Sequence, residues 1–80
     1  MAERGLLHLS RIDAFAAWLE ARGWVRQEAK GLYEVLRMRH PGHVAPMILF
    51  ARIRSRHATT QGGVHRLVRE FINETRKEAR

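Results

Sequence analysis

The spacing of apolar residues changes period twice along this chain, and the two changes limit what it can fold into. Ile12, Phe15, Ala16 and Leu19 recur at intervals of three and four, which predicts a helix from about Arg11 to Arg22. Ser10 followed three residues later by Asp13 reads as a capping box at its start. Gly23 stands where a left-handed C-terminal cap needs it, and from Trp24 onward bulky and β-branched residues take over. A first strand is expected over Trp24 to Glu28, with Lys30-Gly31 as a turn. A second strand, Tyr33 to His40, then pairs back as a hairpin and closes at Pro41-Gly42. Beyond Pro46, Met47 to Arg56 has the strongest strand pattern in the chain and is expected to be the central strand. The helical period returns after Gly62-Gly63, where Val64, Leu67, Val68, Phe71 and Ile72 trace one stripe. The tail from Asn73 to Arg80 mixes acids and bases without an apolar face and is expected to fray.

Helix, three strands, helix implies an α+β fold, with both helices on one face of a three-stranded antiparallel sheet. The chain has 80 residues, so one domain spans residues 1–80, with an ordered core from about 9 to 75. It has no cysteine, which excludes a disulfide framework, cysteine-based zinc or iron–sulfur sites and thiol catalysis. A domain this small must hold itself together by packing or by dimerising. No apolar run approaches the roughly 18 residues of a membrane span, and Met1 to Ser10 lacks the pattern of a secretory signal, so a cytoplasmic protein is expected. Fifteen Lys and Arg against eight Asp and Glu leave a charge of +7, and thirteen of the fifteen cations are Arg. An excess built from planar, permanently ionised forks favours an anionic partner.

Alternation assigns faces within the strands. In the third strand it puts Met47, Leu49, Ala51 and Ile53 in the core and Ile48, Phe50, Arg52, Arg54 and Arg56 on the opposite side. In the second it groups Leu36 and Met38 with the core and leaves Tyr33, Val35, Arg37 and Arg39 outside. Glu34 is turned inward by the same parity, so it sits at an edge or marks a bulge. The expected partner-binding surface is therefore Tyr33, Arg37, Arg39, Phe50, Arg52, Arg54 and Arg56, on which bases stack or an acidic protein docks. The ordinary alternative is a solvated face in which Arg stems shield apolar surface. The contiguous apolar part, Tyr33, Val35, Ile48 and Phe50, weighs against it, because monomers rarely leave such patches bare. A second copy of the chain is another way to cover that patch.

Five histidines raise the question of a metal or of acid–base chemistry. His40 and His43 share one turn, but no further ligand lies at a suitable offset, so a solvated turn and no metal site are expected. His57, Thr60, Gly62, Gly63, Arg66 and Arg69 surround the start of the second helix and could grip an anion through side chains or exposed N–H groups. The plainer reading of the paired glycines is a turn capped by Thr60 or Gln61. No carboxylate pair or poised histidine is visible, so neither an enzyme nor a cofactor is expected.

Three resemblances bear on function. The element order resembles that of double-stranded RNA-binding domains, although Gly63-Val64-His65-Arg66 stands where that family carries lysines. Leu19 to Gly42 resembles HicA-type toxins through Gly23-Trp24, Gly31 and Arg39-His40-Pro41-Gly42. Leu32 and Tyr33 follow the middle glycine where the catalytic histidine of that family is found. From about Ile12 to Ile72 the chain is similar to a set of short phage and prophage proteins, through Tyr33 to Arg39, His57-Ala58-Thr59-Thr60-Gln61 and Leu67 to Ile72. In size and in lacking a catalytic constellation it resembles anti-CRISPR proteins. That resemblance implies a binding protein that occupies a host CRISPR complex, with direct binding of DNA or RNA by a phage regulator as the alternative.

Overall fold

The computed structural model describes residues 7–60 and 66–78. The first element is a two-residue strand, β1 (Leu7–His8), which runs into a 3-10 turn over Leu9–Arg11 and then helix α1 (Ile12–Glu20). The turn is capped by His8, whose Nδ1 accepts the Ser10 N–H at 3.1 Å. Ser10 thus lies inside the turn, and the expected capping box with Asp13 does not form; no side chain caps α1 itself. Asp13 instead accepts Arg26 Nη1 at 3.0 Å.

The end of α1 follows the sequence closely. Trp24 N–H donates to Leu19 O and Gly23 N–H to Glu20 O, both at 3.1 Å, the paired bonds of a Schellman cap. Gly23 has φ +94°, and a Cβ there would lie 3.1 Å from His40 Nε2, so both conformation and space call for glycine.

Three strands follow as a meander: β2 (Val25–Gln27), β3 (Glu34–Arg39) and β4 (Met47–Phe50), antiparallel in the order β2-β3-β4. The central strand is β3, not the more hydrophobic β4. Consecutive antiparallel strands pair with their neighbours in sequence, and the second of three takes the middle. The register puts Arg26, Met38 and Met47 in one row and Leu36 beside Leu49. These rows face α1, where Leu36, Met38, Met47 and Leu49 join Phe15, Ala16 and Leu19 in the core. Helix α2 (Arg66–Glu78) adds Val68 and Phe71 to the same core, so both helices lie on one side of the sheet. Leu67 and Ile72 flank the stripe half-buried, and Val64 lies outside the described residues.

The two helices are joined by rings and one carboxylate. Phe71 sits 5.2 Å from Phe15 and 5.7 Å from Trp18, centroid to centroid. Glu74 accepts Trp18 Nε1 at 3.0 Å and Arg22 Nη2 at 3.1 Å, while the Arg22 guanidinium lies 3.6 Å above the Trp18 ring. Glu74 thus ties the C-terminal part of α2, which continues to Glu78, to the neighbouring helix.

The largest departure from expectation is the third strand. It ends at Phe50, and Arg52, Arg54 and Arg56, placed on the sheet by alternation, lie in a loop. Ser55 N–H donates to Arg52 O at 2.9 Å, closing a turn in which Arg54 has φ +76°. A strand cannot pass through that conformation. Ile53, expected in the core, is 71% exposed, and Ala51 is half-buried against the core. The segment after the loop carries a strand that the sequence pattern does not show, β5 (His57–Ala58), paired antiparallel with β1 through Leu7 to Ala58 and His8 to His57.

Candidate functional site

Glu34 and the bulge beside it shape the outer sheet face. Glu34 pairs with Phe50 but Leu36 pairs with Leu49, so Val35 is an extra residue in β3. One inserted residue reverses parity. Val35 therefore packs against the core instead of lining the outer surface, and Glu34 falls on the same face as Arg37 and Phe50. There the carboxylate is buried and fully engaged: Arg37 Nε donates at 2.7 Å, Arg37 Nη2 at 3.0 Å and the Lys30 N–H at 3.0 Å. The Arg37 hydrogen bonds hold the Glu34 carboxyl below its usual range against the opposing effect of burial, and the Lys30 N–H adds to them. Glu34 in turn raises the pKa of Arg37. Arg37 is thus neutralised by a partner on its own strand and is not a free docking cation.

The rest of the outer face is open among the described residues. The rows Val25–Arg39 and Gln27–Arg37–Ile48 cross it, with Val25, Gln27 and Arg39 exposed and Ile48 half-buried. The apolar patch expected there contracts to Tyr33, Ile48 and Phe50. At its far end the chain leaves β4 at Ala51, makes the Arg52–Ser55 turn and returns to pair with the strand it left. Phe50 N–H donates to Thr59 O at 2.8 Å and Thr59 N–H to Phe50 O at 3.0 Å. The excursion is braced from within. Ser55 Oγ donates to His57 O at 2.9 Å and accepts His57 N–H at 3.2 Å, Ala51 N–H donates to Tyr33 O at 2.9 Å, and Leu9 N–H donates to Arg56 O at 2.8 Å.

Between this loop and Tyr33 lies a groove of about 810 Å³, walled by Tyr33, Phe50, Arg52, Ile53, His57 and Thr59. Tyr33 is 45% exposed, Phe50 is half-buried, and His57 is half-buried with its ring 5.1 Å from that of His8. The expected binding residues therefore divide. Tyr33, Phe50 and Arg52 meet in the groove, Arg54 and Arg56 stand on the loop around it, Arg39 is at the other end of the sheet, and Arg37 is paired. Among the expected anion contacts, His57 and Thr60 fall in the segment returning from the loop. Arg66 and Arg69 are exposed on α2, Arg66 being 3.7 Å from Glu70, and Gly62 and Gly63 lie outside the described residues.

An acid-free stretch of chain runs through most of these positions. Between Glu34 and Glu70 the chain carries no acidic residue but has seven arginines and four histidines. Among the described residues, Arg22, Arg26, Arg37 and Arg66 have acidic partners; Arg39, Arg52, Arg54 and Arg56 have none. His40 and His43 flank the expected turn, which His43 N–H closes by donating to His40 O at 3.0 Å, with Pro41, Gly42 and His43 exposed. Both imidazoles pack on the buried Trp24, 5.2 and 4.9 Å away between ring centroids, and His40 Nδ1 accepts Gly42 N–H at 2.9 Å. Among the described residues no three His, Asp or Glu side chains assemble as metal ligands, and no helix is long and apolar enough to cross a membrane. Comparison with protein-family models, with curated proteins and with solved structures returns no match to this chain.

Proposed function

We propose that this chain is a non-enzymatic binding protein that docks the loop after β4 and the adjoining sheet face against an anionic macromolecule, as a phage-encoded inhibitor of a host CRISPR complex does. The observation that carries this reading is the acid-free stretch from Val35 to Arg69, whose Arg39, Arg52, Arg54 and Arg56 have no acidic partner among the described residues. Unpaired cations on one side of a small domain create a positive field that steers association and penalises basic partners. The resemblance to phage and prophage proteins expected from Tyr33 to Arg39, His57 to Gln61 and Leu67 to Ile72 makes the guide-bound CRISPR complex the first target to test.

Capture of purified CRISPR complexes on the tagged chain tests the reading, with an Arg52→Glu/Arg54→Glu variant beside the parent. Both side chains are exposed, so the variant keeps its melting temperature within a few degrees. Its retention of the complex falls by about tenfold or more, because each reversal changes attraction into repulsion. Equal retention by parent and variant removes the loop from the docking surface. A second reading, direct binding of DNA or RNA, is favoured by the rings of Tyr33 and Phe50 lining the groove beside Arg52.

A further inference from the structure

The groove beneath the Ala51–Ser55 turn has features that the cationic surface alone does not require. Its volume, about 810 Å³, falls among those of small-molecule sites. Its lining is mixed in chemistry: Tyr33 and Ile53 are exposed large side chains, and Arg52 and His57 supply polar groups. The turn that forms its rim is kept in place by the Phe50–Thr59 pair and the Ser55–His57 bonds, so the hollow exists before any ligand arrives. Arg54, on the same turn but outside the groove's lining, is held at φ +76°, a conformation that costs a residue with a Cβ and persists only when its surroundings impose it.

We infer that this groove seats one unpaired nucleotide of a single-stranded nucleic acid, with its base against the faces of Tyr33 and Phe50 and its flanking phosphates on Arg52, Arg54 and Arg56. Charge complementarity selects the class of partner, since Arg52, Arg54 and Arg56 beside the groove have no acidic partner among the described residues and a polyanion is what such unpaired cations match. The rings select among polyanions. A run of Asp and Glu has no flat group to fill the hollow, and a duplex keeps its bases stacked inside, whereas a single strand offers a base and two phosphates together. Stacking on rings tolerates any base, so affinity depends little on sequence. The inference rests on the reading of the chain as a binder of anionic macromolecules and adds the strand form that it grips.

Fluorescence anisotropy of labelled single-stranded oligonucleotides, a duplex of the same sequence and heparin distinguishes the two levels. The parent binds the single strands more tightly than the duplex. Tyr33→Ala weakens single-strand binding about tenfold, in the range of losing one stacked base, and leaves duplex and heparin binding unchanged. Tyr33→Phe, which keeps the ring, restores it, and identical melting temperatures show that neither variant unfolds. Equal affinity for single strand and duplex, with no effect of Tyr33→Ala, overturns the groove as a nucleotide seat while the cationic docking surface stands. Failure to bind heparin, duplex and single strand alike overturns both.

Discussion

Arginine has opposite uses on the two sides of this molecule. On the helix side Arg22 lies over Trp18 and binds Glu74, and Arg26 reaches Asp13, so each cation ties one element to another. On the loop side Arg52, Arg54 and Arg56 follow one another at alternate positions with no acid within reach among the described residues. The side chain is the same and the neighbours differ. Exposed pairs such as these contribute little each, so their main effect on the helix side is to set how α2 lies on α1 around the rings. On the loop side the charges repel one another, and that repulsion is tolerated because the backbone there is fixed by its own hydrogen bonds.

If the helix side carries stability and the loop side carries recognition, mutations should separate the two. Phe15→Ala, which removes a fully buried ring from between the helices and the sheet, lowers unfolding free energy by about 3–5 kcal/mol in denaturant melts. Ile53→Ala, on the loop and 71% exposed, changes it by less than about 0.5 kcal/mol. Comparable losses from the two would break the comparison. Arg54→Gly gives an effect opposite in sign to that of Phe15→Ala, because glycine relieves the positive φ while adding freedom to the unfolded chain. The net gain is about 0.5–1 kcal/mol, with weaker binding to anions measured on the same sample.

The smallest effect is one of shape and belongs to the boundary between the two sides. The Glu34 carboxyl is held below its ordinary value of 4.5, so the stabilisation it contributes is complete above that pH and is lost as the pH falls through the folded-state value. Melting temperatures measured between neutral pH and acid therefore fall on the acid side, and Glu34→Gln flattens that limb. An unchanged limb in the variant shows that Glu34 is not held low by Arg37.

Where local chemistry decides the structure, the sequence was readable. Gly23 is required by one residue's dihedral angle, and the apolar stripe of α2 is required by one helix's period; both can be recognised from a few neighbouring letters. The failures are non-local or involve one extra residue. Arg52-Ile53-Arg54-Ser55-Arg56 alternates as a strand does, and nothing in that pattern reveals that Arg54 adopts a turn conformation. Val35 is an ordinary strand residue, yet as the bulge it turns to the core and puts Glu34 on the outer face. Strands β1 and β5 have two residues each and meet from opposite ends of the chain, so they carry no periodicity to detect. The candidate site was half legible for the same reason: Tyr33, Phe50 and Arg52 were named as neighbours on a flat sheet, and the groove that joins them depends on a loop whose closure is set by Thr59.

That closure has an evolutionary consequence. A segment whose two ends are tied to each other can exchange its contents while the body beneath it is conserved, much as one tool head replaces another on the same handle. On the proposed docking, the residues between Phe50 and Thr59 can be rewritten to change what the chain grips, leaving untouched the rings that keep the molecule folded.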